Sequence, residues 1–442
     1  MELFVNRETE LQVIDNAFQT LLDKTRLLRT PIIEFSGVGG IGKTSLLKQV
    51  EERCNEKKLQ YLWVDVGRDP ARVDDEIITQ TRKYIPVHED EEKQSPILAT
   101  RALLQQGPVV LLLDSVDTAN KEQQEKLVSL LRNLIDHEKF FVILTSQKLL
   151  PFDQERSVAR KLSTFSLKSF NRKHCESYLI KQNIPIDTEL RDLVFEWTRG
   201  YPLAMNIMTQ ALNDGIDPRT DEGRDEMLNL LMDKVIDQGV LANTQADERD
   251  NYRALLQLLA IPRRFNLPIM QDLIEKFIPH LRRERSMAYF GLPGELNATT
   301  NVVNWNFARA GYCVDEPIRS LFLLLLKMQH LDNYLAIHSF LAQLNQRLAG
   351  EQPGFDRVRY TRECLYHIAC SAQETDIAQQ LEEGMQLMLQ ESLENFQQFT
   401  EEFAQDQELK EALGDYLIKV QSIIAAHIES LNNDDHKDSR YA

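Results

Sequence analysis

Residues 32–50 read IIEFSGVGGIGKTSLLKQV, and the fold turns on how this stretch is taken. Its first five residues form a short apolar run that reads as a buried strand. Four glycines in six positions follow, Gly37, Gly39, Gly40 and Gly42, interleaved with Val38 and Ile41. Lys43, Thr44 and Ser45 come next, with Leu46, Leu47 and Val50 spaced along the inner face of a helix. The pattern is G-x-x-x-x-G-K-T between a strand and a helix. Glycines let the backbone curl so that successive N–H groups point inward at phosphate oxygens. The helix N-terminus adds its partial positive charge. Lys43 would reach the β- and γ-phosphates, and the Thr44 hydroxyl would ligate Mg²⁺. Average residue usage supplies this pattern by chance in about one or two chains of this length per hundred, and the strand before and helix after lower that further. Residues Gly37 to Ser45 are therefore the expected ATP/ADP-binding loop.

Outward from the loop, strands and helices alternate. LQYLWVDV at 59–66, PVVLLLDSVD at 108–117 and FFVILTSQ at 140–147 read as strands, the last two with the continuous apolar residues of a parallel sheet buried on both faces. KLVSLLRNL at 126–134 reads as an amphipathic helix, and HEDEEKQS at 88–95 as an acidic loop. Residues 1–165 are thus expected to form a doubly wound α/β P-loop core whose polar strand ends gather at one edge. Residues 166–240 read as a small helical domain, broken at Gly200 and Pro202. Residues 241–330 hold two helical patterns around a turn, then short extended pieces (YFGLPG, NVVNWNF), the order of a winged helix. Residues 331–432 read as C-terminal α-helices without a fixed repeat, and 433–442 as a disordered tail.

A strand beside a P-loop is expected to deliver a carboxylate to the metal. Asp114, after five apolar residues, fits that role. Asp117, three residues on, suits the polarisation of water for hydrolysis, and with Lys43 makes up the expected catalytic pair. The competing reading makes Asp117 the N-cap of the helix after Asn120. Thr145, Ser146 and Gln147 would either face the γ-phosphate or be solvated strand-end residues.

The 442 residues carry a net charge of −17, from 51 basic and 68 acidic residues. From Ser371 to Ala442 there are 16 acidic and 4 basic residues, so −12 of the charge lies there. Such a surface repels nucleic acid unless a basic patch is segregated. Arg263/Arg264 and Arg282/Arg283/Arg285 are the candidate patches, explained equally well as solvated helix ends. An acidic helical pair lying over them would restrain a closed form through weak, exposed ion pairs; otherwise the acidic face serves solubility. The longest apolar run, LFLLLLKM at 321–328, is too short to span a bilayer. The first residues lack the pattern of a signal peptide. Five scattered cysteines without C-x-x-C fit a reducing cytosol.

Four pieces stand in order: FVNRETEL at 4–11, GVGGIGKTS at 37–45, LLLDSVD at 111–117 and RGYPLA at 199–204. Together they resemble the STAND class of signalling ATPases, which includes apoptotic protease-activating factors, plant resistance proteins, NACHT receptors and bacterial regulators. The resemblance covers roughly residues 1–330. It implies that Val5, Asn6 and Arg7 line an adenine pocket and that Pro202 packs against bound nucleotide. The Asp-x-x-Asp spacing at 114–117 is similar to the NACHT arrangement. Two departures stand out. Gln147 lies where an arginine often senses the γ-phosphate, and Asp315–Glu316 lack the histidine that closes on ADP. The resemblance implies an ATP/ADP- and Mg²⁺-dependent cytoplasmic switch that forms a homo-oligomer with ATP and hydrolyses it slowly. It would signal through a separate effector or sensor chain, no effector being expected ahead of the nucleotide domain. An AAA-type ATPase acting on nucleic acid is the alternative; Ser115 directly after Asp114 and the acidic charge stand against it. A pseudo-ATPase scaffold is the third reading.

Overall fold

The computed structural model describes residues 6–23, 25–85, 95–148, 156–182, 187–242, 244–371 and 377–438, with side chains to 431. The chain divides into two compact units, Met1–Val240 and Leu241–Ala442.

The first unit contains α1 (Glu8–Leu22), β1 (Ile32–Ser36), α2 (Lys43–Glu56), β2 (Gln60–Asp65), α3 (Val73–Thr81), α4 (Pro96–Gln106), β3 (Val109–Asp114), α5 (Lys121–Leu134), β4 (Phe140–Ser146), α6 (Arg156–Ala159) and β5 (Leu162–Ser166). The five strands form one parallel sheet in the order β2-β3-β4-β1-β5. β1, β3 and β4 are buried along their whole length, as their unbroken apolar runs demand. β5, which the sequence reading does not single out, carries Leu162-Ser-Thr-Phe-Ser166 and stays partly exposed, as suits an edge strand. Because all strands run the same way, Ser36, Asp65, Asp114, Ser146 and Ser166 end at one edge of the sheet.

Helix α5 begins five residues earlier than the 126–134 pattern. Asn120 and Gln123 form a reciprocal capping box at its start, and Leu127, Leu130, Leu131 and Leu134 pack into the core beneath it. Asn120 is thus the cap, and Asp117 lies outside the helix in a 3₁₀ turn, Val116–Thr118. The unit continues with α7 (Arg172–Lys181), α8 (Thr188–Thr198), α9 (Pro202–Asn213) and α10 (Asp221–Leu231), and ends in a π-helical segment, Met232–Val240. The expected acidic loop at 88–95 lies outside the described residues except for Ser95, which precedes α4.

The second unit opens with α11 (Arg249–Leu259), α12 (Leu267–Phe277), α13 (Leu292–Thr300) and a hairpin of β6 (Val303–Asn306) and β7 (Gly311–Val314). Phe265 bridges to Tyr312 beside the hairpin. YFGLPG is not extended: it forms a turn and the first turn of α13, with Pro293 in an early position where no N–H partner is lost. The remainder is helical: α14 (Glu316–Gln329), α15 (Leu331–Glu351), α16 (Phe355–Cys370), α17 (Ile377–Glu391), α18 (Leu393–Gln405), α19 (Gln407–Leu413) and α20 (Leu417–Asp438). No glycine or proline interrupts the chain after Gly414, and α20 runs to Asp438 through most of the segment expected as a disordered tail.

Two expectations about charge are overturned in this unit. The acidic helices are not a peripheral pair: Leu381, Met385, Met388, Phe396, Phe399 and Phe403 share one apolar core with Val358 and Leu365 of α16. Arg263 and Arg264 are neither a surface patch nor solvated helix ends, being 1% and 4% exposed. The Arg263 guanidinium donates to both carboxylate oxygens of Glu363 at 3.0 Å and to Asp406 at 2.8 and 2.9 Å. Arg264 donates to the carbonyls of Arg309 and Ala310. Arg319, also buried, donates to Glu408 at 2.6 Å. Arg282 and Arg283 remain near the surface and pair with Glu275 and Glu295. Apolar residues around the α18–α19 junction carry Asp406 and Glu408 inward, so these acids meet the arginines under cover rather than across solvent.

Candidate functional site

The site lies at the C-terminal edge of the sheet, where the loop after β1 climbs into α2. Gly40 and Gly42 take left-handed backbone angles, φ +75° and +98°, which side chains adopt only with strain. Gly40 has a second constraint: a Cβ there would lie 2.6 Å from Cβ of Leu203 and 2.9 Å from the Tyr201 hydroxyl. Gly42 is the N-cap of α2 and provides no side-chain cap, so the first N–H groups of this helix remain for an anion. Lys43 is buried, and its ammonium arches over the loop to donate to the carbonyls of Gly37 at 2.7 Å and Val38 at 3.1 Å.

Thr44, one residue on, donates its hydroxyl to Oδ2 of Asp114 at 2.7 Å. This brings together the two groups that the sequence assigns to a magnesium ion from positions 70 residues apart. A hydroxyl and a carboxylate meeting beside an uncapped helix start are hard oxygen donors of the kind that Mg²⁺ takes. With the left-handed glycines and the buried lysine, they fit a Mg²⁺–nucleotide.

β4 supplies what surrounds the carboxylates. The Thr145 hydroxyl donates to Oδ1 of Asp114 and accepts the N–H of Ser115 at 3.0 Å. Ser115 stands at φ +56° and starts the turn that carries Asp117. Oδ1 of Asp117 accepts the backbone N–H of Gln147 at 2.9 Å. The Gln147 side chain reaches over the loop, its Nε2 4.0 Å from where a Cβ on Gly39 would sit. Ser146 points to the other face of the sheet and donates to the buried carboxylate of Glu34 at 2.7 Å. Of the three polar residues ending β4, the Thr145 and Ser146 hydroxyls are thus engaged by carboxylates, which neither sequence alternative anticipates.

The remaining expected contacts lie on the loop's flank. Val5 falls outside the described residues. Asn6 and Arg7 both have positive φ, +59° and +133°, and open the chain into α1. Arg7 is buried; it donates to the carbonyl of Ile41 at 2.9 Å, and its guanidinium lies 5.6 Å from the centre of the Phe170 ring. Burial lowers its pKa from the usual arginine value, against the raising influence of Glu10 and Glu8. Pro202 is the first residue of α9 and is half-buried. Its neighbour Tyr201 donates its hydroxyl to the carbonyl of Gly39. Gly200, at φ +72°, is pressed so closely on the Phe170 carbonyl that a Cβ would lie 1.9 Å from its oxygen. The small helices therefore touch the loop through Tyr201 and Leu203, while Phe170 packs behind them against Gly200 and Arg7. Sequence reasoning drew only Pro202 from RGYPLA and passed over Phe170, an aromatic lying before a helix cap, Asn171, with no motif to mark it.

Asp315 and Glu316, in the second unit, start α14; Asp315 accepts a hydrogen bond from Asn304 at 3.1 Å. Among the described residues no helix is long and apolar enough to cross a membrane, and all five cysteines are free thiols.

Residues 11–149 match the NB-ARC domain family. No curated protein matches the chain in sequence. Among solved structures, a Walker-type ATPase of Pyrococcus abyssi superposes with a TM-score of 0.54 at 13% identity, over 72% of this chain and 95% of that one. Cdc6p of Pyrobaculum aerophilum aligns with a TM-score of 0.41 at 12% identity, over 74% and 96%. A STAND protein with a tetratricopeptide repeat sensor from Pyrococcus horikoshii aligns with a TM-score of 0.35 at 15% identity, over 98% and 65%. The NB-ARC match spans the P-loop, Asp114, Asp117 and Thr145, and its sheet holds them at one edge. Residues 11–149 are thus an NB-ARC-type P-loop segment, and the match stops short of the rest of the chain.

Proposed function

We propose that this protein is a cytoplasmic molecular switch that binds ATP or ADP with Mg²⁺, forms a homo-oligomer in the ATP state and hydrolyses ATP slowly. In this reading a separate effector or sensor chain carries the signal onward. The observation that carries it is the contact of Tyr201 and Leu203 with the backbone of the P-loop at Gly39 and Gly40. A helical segment that touches the loop itself must respond to what the loop holds. A nucleotide can shift such an equilibrium only by binding one arrangement better than the other.

Each residue has a task in this reading. Residues Gly37 to Ser45 cradle phosphates with their N–H groups, and Lys43 swings from the loop carbonyls to the phosphate oxygens. Thr44 and Asp114 hold the magnesium, which when bound neutralises phosphate charge. Asp117 accepts a proton from, or orients, the attacking water, and Gln147 N–H keeps its carboxylate in place. Asn6, Arg7 and Pro202 shape the base side of the pocket, Arg7 from behind the loop.

The test is the mass of the purified chain in solution with ADP and with a non-hydrolysable ATP analogue. A larger species with the analogue alone, absent in Lys43→Ala, is expected. A parent that stays one size in both nucleotides refutes the switch, and a Lys43→Ala variant that binds ATP as tightly as the parent refutes the P-loop assignment.

A second reading, an AAA-type ATPase acting on nucleic acid, draws on the helix and hairpin order of residues 249–314 and on Phe307, 89% exposed at the hairpin turn. Burial of Arg263 and Arg264 removes one of its two expected basic clusters. Retention on duplex DNA that weakens steeply with salt would favour it.

A further inference from the structure

We infer that Thr145 is a positioning residue for the metal half of this site: through its hydroxyl, the end of β4 sets the orientation of the Asp114 carboxylate and the turn that leads to Asp117. The inference rests on the nucleotide reading above and assigns Thr145 a task other than sensing the γ-phosphate.

The argument is one of hydrogen-bond capacity. A threonine hydroxyl has one proton to donate and lone pairs to accept with. In this protein the proton goes to Oδ1 of Asp114, and the N–H of Ser115 donates to the Thr145 hydroxyl oxygen at 3.0 Å. Thr145 is fully buried and Asp114 is 3% exposed, so water does not compete for either bond. With Oδ1 held from the β4 side, Oδ2 is left facing the Thr44 hydroxyl at 2.7 Å. A carboxylate free to rotate about its terminal torsion would present either oxygen at broad angles; tied at Oδ1, it presents Oδ2 to the cation.

The bond to Ser115 extends the same control along the chain. Ser115 is a non-glycine residue at φ +56°, a conformation that persists only where neighbours enforce it. Two residues on, Asp117 is tied to the same strand end by Gln147 N–H at 2.9 Å. The two expected functional carboxylates are thus both referenced to β4, one through a side chain and one through the backbone. Outer partners of metal ligands act in this way, and their loss costs about 10–100-fold in metal affinity.

The test uses the full chain, a fluorescent ADP analogue and Mg²⁺. ADP affinity is measured first in a chelator, then across a Mg²⁺ titration, for the parent, Thr145→Val and Thr145→Ser. Valine keeps the shape and removes the hydroxyl; serine restores it. Thr145→Val is expected to bind ADP like the parent in the chelator and to need about 10–100-fold more Mg²⁺. Thr145→Ser is expected to follow the parent. A Thr145→Val curve that overlays the parent in Mg²⁺ overturns the inference. So does a variant that loses ADP binding equally with and without Mg²⁺, since that would mark a general packing role. A parent that binds no ADP at all would instead overturn the nucleotide reading on which the inference rests.

Discussion

Replacing Arg263 with methionine is expected to cost the second unit about 3–5 kcal/mol, the range for removing one partner from a buried ion pair. The structure says where that cost arises. Arg263 is 1% exposed and makes four hydrogen bonds, two to Glu363 and two to Asp406. Asp406 would keep Arg362 at 3.0 Å and the N–H of Leu409 at 3.0 Å. Glu363, 5% exposed, would lose the only side-chain donors shown for it among the described residues. Burial alone raises its pKa, and the Arg263 charge and hydrogen bonds bring it below the usual glutamate value. Without Arg263, the carboxylate must either stay charged and desolvated or take up a proton. For a unit of this size each kcal/mol shifts the midpoint by about 2–4 °C, so the loss corresponds to roughly 6–20 °C. Scanning calorimetry of the full chain reads it, with the parent as reference. Arg263→Met/Glu363→Leu should recover most of the loss, because replacing a buried pair by apolar groups is often neutral. A parent-like midpoint for Arg263→Met would refute the reasoning. A double variant as unstable as the sum of the singles would refute it too, since the penalty would then not come from a stranded charge.

Asp117→Asn should leave ADP affinity nearly intact and slow hydrolysis by about 10²–10⁴-fold, because the amide can still accept the Gln147 N–H and no longer carries charge. Asp114→Asn should weaken Mg²⁺-dependent binding instead; equal loss of affinity in both variants would contradict this division. Glu408 supplies a pH dependence. Burial raises its pKa, but Arg319, Arg263 and Arg309 outweigh that and hold it at about 2, against 4.5 for an unperturbed glutamate. Its stabilising contribution is therefore complete above about pH 4.5 and lost as pH falls toward 2, at up to about 1.4 kcal/mol per pH unit. Acid unfolding followed by circular dichroism should show Glu408→Gln less sensitive than the parent in this window; identical slopes would count against the ion network.

Removal of residues beyond Gln373 illustrates how the structure changes an expectation. If the acidic helices were an exposed restraint, such a truncation would release the switch. Because α17–α20 contribute Leu381, Met385, Phe396, Phe399 and Phe403 to a shared core, and Asp406 and Glu408 neutralise buried arginines, it would expose that core, take Glu408 from Arg319 and leave Arg263 with Glu363 alone.

The sequence by itself determined the nucleotide domain. A glycine loop between an apolar strand and an amphipathic helix is a local pattern, and its chemistry follows from residues adjacent in the chain. Continuous apolar runs marked β3 and β4 for the same reason: burial on both faces leaves a signature in every residue of the strand. β5 escaped because an edge strand needs no such run. What only the tertiary structure decided are the relations between distant residues. Thr145 stands 31 positions from the carboxylate it orients, Tyr201 162 positions from the loop it touches, and Arg263 143 from Asp406. Charge shows the same divide most plainly. A sequence gives the sign of each residue but not its solvent exposure, and the energy of an ion pair depends on that exposure. Arg263 and Asp406 look like surface charges when counted along the chain, and become a buried pair once α12, α16 and α18 close around them.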